Sequence, residues 1–199
     1  MPILLVRHPE PDIEPGRCYG RLDIGLSRAG QDRLAPLAAT LRATGIDRVL
    51  TSPARRCRAL ANALTPHACV DARLQELDFG AWEGRRWDDI ERRQIDAWAA
   101  DPILFAPPGG ESGADLIRRI EAVCADLRAG PACIVIAHGG PLRLMIALLQ
   151  GRPPDLVAPS PPFGSVTTLH HGTHASADST AHSTTTAHPP STSPVKPPI

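Results

Sequence analysis

The sequence predicts an α/β fold: an open, mostly parallel sheet in three layers, with helices on both faces. Three observations lead there. Short, fully apolar runs at residues 3–6 and 133–137 have the composition of strands buried on both sides. Segments with helical spacing of apolar residues alternate with them, the pattern of parallel strands joined by crossover helices. The chain has 199 residues with 42% hydrophobic content, enough for one domain with a sizeable core.

Taken in order, residues 3–6 form the first expected strand, followed by a loop rich in Pro and Gly. Ser27 has the character of an N-cap, Leu34, Leu37, Ala38 and Leu41 recur at helical spacing, and Gly45 closes that helix. Residues 48–51 make a second short strand, and Pro53 suits the first turn of a helix carrying Ala59, Leu60 and Leu64. Residues 87–100 and 112–127 read as two further helices, separated by the loop 101–111. Residues 133–137 are the clearest buried strand, 141–149 an apolar helix and 166–169 a last strand. From residue 173 the composition turns to Ser, Thr, Ala, Pro and His, which cannot bury enough surface to offset ordering entropy. The expected organisation is a domain over residues 1–172 and a disordered tail over 173–199, its histidines solvated rather than metal-binding.

The 21 basic and 21 acidic residues balance, which gives no reason to expect nucleic acid or an anionic membrane as partner. No apolar run approaches the roughly 20 residues that span a bilayer. The opening run meets Arg7 too early for the core of a signal peptide, and no basic region precedes it. The five cysteines are odd in number and scattered, without a Cys-x-x-Cys pair. They suggest neither a disulfide framework nor a zinc site, and they fit a reducing cytoplasm.

Polar residues cluster where strands end. Arg7 and His8 follow the first strand, Arg56 lies in the first turns of the helix after the second, and His138 follows the strand 133–137. Ligands of open α/β sheets bind outside the carboxyl ends of the strands. Two histidines and two arginines are therefore expected at one edge. Arginine's planar fork suits phosphate oxygens, and a neutral imidazole can attack phosphorus. Each piece has a bland reading: a structural histidine closing a strand, or Arg55, Arg56 and Arg58 as a solvated helix face.

At this point the chain resembles the histidine phosphatase superfamily, which includes the phosphoglycerate mutases. The Arg7-His8-Pro9-Glu10 stretch resembles the family's Arg-His-Gly motif, and Thr51-Ser52-Pro53-Ala54-Arg55-Arg56-Cys57 its Ser-Ser-Pro-x-x-Arg-Ala. The segment from Gly20 to Gly30 is similar to the loop leading to the first helix. Leu74-Gln75-Glu76-Leu77-Asp78-Phe79-Gly80 is similar to the segment holding the acid, and Gly109-Gly110-Glu111-Ser112 and Ala137-His138-Gly139 match two further landmarks. The resemblance implies His8 as nucleophile, Glu76 as general acid and base, and His138 as the second catalytic histidine. It also implies Arg7, Arg56, Gly20 and Arg21 as substrate-binding residues, a small phosphorylated substrate, and neither metal nor cofactor. The Pro15-Gly16-Arg17-Cys18-Tyr19-Gly20-Arg21-Leu22-Asp23 run resembles bacterial α-ribazole phosphatases, which act late in cobalamin assembly.

Three features depart from the pattern. Pro9 stands where the family has glycine, and its carbonyl is expected to accept from the ring of His8. Pro11 and Glu14 also differ, and Glu14 is expected to point away from a phosphate. A mutase, a sugar-phosphate phosphatase and a catalytically dead phosphate-binding module all remain open. A metal hydrolase built on His8, Glu76 and His138 is opposed by the neighbouring guanidinium charges.

Overall fold

The computed structural model describes residues 1–170. In chain order the elements are β1 (Pro2–Arg7), α1 (Arg28–Asp32), α2 (Leu34–Arg42), β2 (Val49–Thr51), α3 (Arg55–Leu64) and β3 (Cys69–Val70). Then come α4 (Arg92–Ala100), α5 (Gly113–Ala129), β4 (Cys133–Ala137), α6 (Gly139–Leu149) and β5 (Val166–His170). The tail expected from residue 173 lies outside the described residues.

The five strands lie in the order β3-β2-β4-β1-β5. All pairings are parallel except β1 with β5. The two apolar runs β1 and β4 are neighbours and are covered on both faces. Ile3 and Leu5 of β1 join Cys133, Val135 and Ala137 of β4 under α5 and α6, packing on Leu116, Ile120 and Leu142. The alternate residues Leu4, Val6, Ile134 and Ile136 face the other way, against Leu41 of α2 and Leu60 of α3. The period of two thus splits one apolar run between two cores, which explains why these strands carry no polar face. A third cluster, of Cys18, Trp82 and Ile90 with several aromatic rings, lies apart from the sheet.

Three expected boundaries change. The helix read across residues 27–45 is broken at Arg33 into α1 and α2. Pro36 lacks the N–H that would bond the carbonyl of Asp32, and its ring crowds that carbonyl. Ser27 does cap α1, its hydroxyl accepting from the Gly30 N–H at 3.0 Å. Pro53 stands just outside α3, whose N-cap is Ala54. The helix expected over residues 87–100 is a single 3₁₀ turn, Trp87–Asp89, followed by α4. Between them Ile90 takes an extended ψ of 136° and buries its side chain with Cys18 and Trp82. The two-residue β3 was not legible; it extends the sheet beyond β2. No helix among the described residues is long and apolar enough to cross a membrane.

The register levels the strand ends. Arg7 pairs with Ala137, and Thr51 pairs with Ile136. The next backbone groups continue the ladder, His8 N–H to the Ala137 carbonyl at 3.1 Å and Ser52 N–H to the Ile136 carbonyl at 3.0 Å. His8, Ser52 and His138 therefore leave the sheet at one edge.

Candidate active site

His8 is 1% exposed. Its Nδ1 lies 2.7 Å from the carbonyl of Pro9. A carbonyl only accepts, so Nδ1 carries the proton and Nε2 keeps the lone pair. Proline at this position keeps the contact, because the contact uses its carbonyl. Burial holds the imidazole well below the usual histidine range, and the Arg56 and Arg7 charges push the same way, against the opposing Pro9 bond. The ring is thus neutral at pH 7.

The ring of His138 lies 5.1 Å from that of His8 at an interplanar angle of 65°. His138 is the N-cap residue of α6. Its Nε2 is 2.8 Å from the Ser52 hydroxyl and 3.6 Å from the Cys57 sulfur. Burial again dominates a strong downward shift of its pKa, with Arg56, His8, Arg7 and Arg119 adding to it. The Cys57 thiol is pushed up to about 12 by burial, so it stays protonated.

Two buried arginines flank the histidines. Arg56, in the first turn of α3, donates Nη1 to the Leu22 carbonyl at 2.9 Å and Nη2 to the Gly20 carbonyl at 2.7 Å. Gly20 approaches so closely that a Cβ there would meet the Leu77 carbonyl oxygen at 1.9 Å. Arg7 donates Nη1 to the Pro161 carbonyl at 2.7 Å, and its guanidinium carbon sits 3.9 Å over the Phe163 ring. Burial lowers its pKa, while Tyr19 and Glu76 counter that shift. The Nε–H of Arg7 and that of Arg56 are both buried without an acceptor among the described residues. Two buried cationic donors with unmet hydrogen bonds, beside a neutral imidazole, suit an anion.

Glu76 completes the group. Its Oε1 accepts from the Leu77 N–H at 2.9 Å, and its Oε2 from the Gly140 N–H at 3.1 Å. A Cβ on Gly140 would fall 2.3 Å from Oε1. The backbone under Glu76 is clamped by Arg119. That side chain donates to the Arg73 and Gln75 carbonyls at 2.5 Å each and to the Glu76 carbonyl at 3.0 Å. Arg119 is itself paired with Glu111 at 2.7 Å. Gly20 and Arg21 line an opening with Glu76 and His138. The Arg21 side chain pairs with Asp78 at 3.4 Å and Glu111 at 3.3 Å. Glu14 binds Arg17 at 2.8 Å, and its side chain is 65% exposed.

A cavity opens at His8, lined by Arg7, Glu76 and Arg143 together with Phe79, Trp87 and Trp98. Arg143 is the single charged residue of α6 and is mostly buried. It donates to the Leu156 carbonyl and the Ser160 hydroxyl. That same segment, 156–163, supplies the carbonyl and ring that hold Arg7.

Comparison with known proteins gives the chain a family. The profile described as the histidine phosphatase superfamily (branch 1) matches residues 3–176. The chain belongs to that superfamily. A bifunctional protein of Mycobacterium tuberculosis is 32% identical over 158 residues, 73% of this chain. This chain spans only 43% of the length of that relative. A probable phosphoglycerate mutase of Klebsiella pneumoniae is 30% identical over 76% of this chain and 75% of its own. A solved putative α-ribazole-5′-phosphate phosphatase from Escherichia coli superposes with a TM-score of 0.76 at 25% identity. That match covers 84% of this chain and 89% of the other.

The structure brings His8, His138, Arg7, Arg56 and Glu76 together as their positions in the superfamily's motifs imply. Sequence reasoning missed Arg119, Arg143, Phe163 and the aromatic side of the cavity. Arg143 had a signal, a lone charge inside an apolar helix. The Gly109-Gly110-Glu111-Ser112 landmark has a structural use: Glu111 holds Arg119, which holds the Glu76 backbone.

Proposed function

We propose that the protein is a phosphomonoesterase that carries the phosphoryl group on His8. The observation that supports it best is a buried imidazole, neutral and with its lone pair on Nε2, beside two buried guanidinium groups with unmet donors. In the first step Nε2 attacks phosphorus and the ester P–O bond breaks. Glu76 gives its proton to the leaving oxygen, which departs as the alcohol. Arg7, Arg56 and His138 take up the charge on the non-bridging oxygens. In the second step water attacks the phosphohistidine, the P–N bond breaks, and Glu76 takes the water proton. Inorganic phosphate leaves and both residues return to their starting states.

The finer reading is an α-ribazole 5′-phosphate phosphatase of cobalamin synthesis, working in the cytoplasm. Its support is the run from Pro15 to Asp23 and the likeness to the Escherichia coli structure. The free cysteines, four of them buried, are compatible with a reducing compartment. A second reading, a phosphoglycerate mutase, is favoured by the Klebsiella relative. The two differ in the acceptor of the second step, water or an alcohol. Purified protein should release phosphate from α-ribazole 5′-phosphate with a higher kcat/KM than from 3-phosphoglycerate, and His8→Ala should release none. Conversion of 3-phosphoglycerate to its 2-isomer faster than phosphate release would favour the mutase. No turnover of any ester would leave a phosphate-binding module.

A further inference from the structure

The cavity at His8 combines two kinds of lining: the polar residues Arg7, His8, Glu76 and Arg143, and the apolar residues Phe79, Trp87, Trp98, Leu77 and Leu116. The Trp87 and Trp98 rings stack at 6.0 Å and 15°. Phe79 meets both edge-on, at 5.5 Å and 6.1 Å. These rings are not simply the core of the small cluster. That place is taken by Trp82, fully buried, bonded through its Nε1 to Gln94 at 2.8 Å and stacked on Phe105 at 5.8 Å. Phe79, Trp87 and Trp98 pack against that cluster, half-buried, the two indoles edge-on to Trp82 at 6.3 Å and 6.2 Å, and they also line the cavity. The Trp87 indole N–H is moreover buried without an acceptor among the described residues.

We infer that Phe79, Trp87 and Trp98 form a subsite for a flat aromatic ring on the leaving alcohol. The preferred substrate is then a nucleoside-like 5′-phosphate, its phosphate at His8 and its ring on the indoles. The inference rests on the reading of His8 as phosphoryl acceptor, because that reading fixes which end of the cavity takes the phosphate. Flat rings stack on aromatic side chains, and a ring nitrogen or ribose oxygen would give the Trp87 N–H its acceptor.

The chain has three tryptophans, Trp82, Trp87 and Trp98, and all lie in this cluster. Intrinsic fluorescence therefore reports on the subsite without any turnover. Titrating the wild-type protein with α-ribazole, which lacks the phosphate, should quench the emission saturably, whereas ribose should not. Trp98→Ala should weaken that binding about tenfold to a hundredfold, and Trp98→Phe should restore most of it. In kinetics, the ratio of kcat/KM for α-ribazole 5′-phosphate to that for ribose 5-phosphate should fall by a similar factor in Trp98→Ala. No saturable quenching in the wild type would overturn the subsite, a result that needs no folded variant. So would an equal loss on both esters in Trp98→Ala. An active His8→Ala protein that still binds α-ribazole would overturn the catalytic reading and leave the subsite standing.

Discussion

The floor and the aromatic wall of the cavity are built on different foundations. The floor stands on the ends of β1 and β4 and the first turn of α3. Its four polar residues Arg7, His8, Arg56 and His138 are at most 5% exposed, and each has a bond into the backbone or a neighbouring side chain. The wall comes from short turns and one short helix: a residue beside the 3₁₀ turn Gly80–Trp82, another in the turn Trp87–Asp89, and Trp98 from α4. No residue of α4 is fully buried. Rigid strand ends suit charge placed to a fraction of an ångström, as phosphoryl transfer requires. A lightly anchored segment can change its side chains without disturbing that geometry. In this account the floor does the chemistry and the wall selects the alcohol.

Variants of the floor should therefore strike every ester, with a pattern set by the leaving group, whereas wall variants should discriminate by ring. Short of removing the nucleophile itself, the largest effect is expected for Glu76→Gln. Esters of poor leaving groups should lose about a hundred- to ten-thousand-fold in phosphorylation rate, while p-nitrophenyl phosphate, whose leaving anion is already stable, loses far less. Equal losses, measured in the pre-steady-state burst, would reduce Glu76 to a positioning role.

Arg56→Ala is expected to cost about a hundred- to a thousandfold in kcat/KM, similarly for α-ribazole 5′-phosphate and ribose 5-phosphate. A loss confined to one of them would break the division between floor and wall.

Gly140→Ala separates rigidity from stability. The new Cβ displaces the Glu76 carboxylate, the movable end of a side chain, while alanine favours the helix. The melting temperature should hold or rise, and activity on poor leaving groups should drop, by up to about a hundredfold for a shift near 1 Å. Unchanged rates would mean that the carboxylate position is not critical.

The smallest effect concerns acid. His8 and His138 have folded pKa values depressed below about 6.5 of the unfolded chain. Below that pH the unfolded state takes up protons that the folded state does not, so stability falls as pH falls through this window. The loss is about 1.4 kcal/mol per pH unit for each histidine, and neither contributes above about pH 7. Urea midpoints from pH 7 to 5 should show this fall, and saturating phosphate should reduce it, because a bound anion favours the protonated rings. A flat profile would contradict the buried neutral histidines.

The same contrast explains what the sequence revealed. Strands buried on both faces announce themselves as unbroken apolar runs, so the residues directly after them, His8 and His138, could be placed on one edge. Pro36, visible in the sequence, broke a helix whose apolar spacing alone appeared continuous. Ile90 turned inward to meet Cys18 and Trp82, a long-range contact that no local pattern encodes. The wall depends on many such contacts. Trp87 and Trp98 read in sequence as helix residues, and only the tertiary fold brings them to the cavity with Phe79. Arg119 was hidden for the same reason, since its partners are backbone carbonyls 43 to 46 residues away.

The most direct test of the central claim is a rapid-quench experiment with a ³²P-labelled phosphomonoester. The wild type should yield a labelled enzyme within one turnover, stable to alkali and labile to acid as a phosphoramidate is. Peptide mapping should place the label on His8, and His8→Ala should show none, with turnover reduced by on the order of a millionfold. A wild type that turns over without labelling, or a label on another residue, would contradict the account.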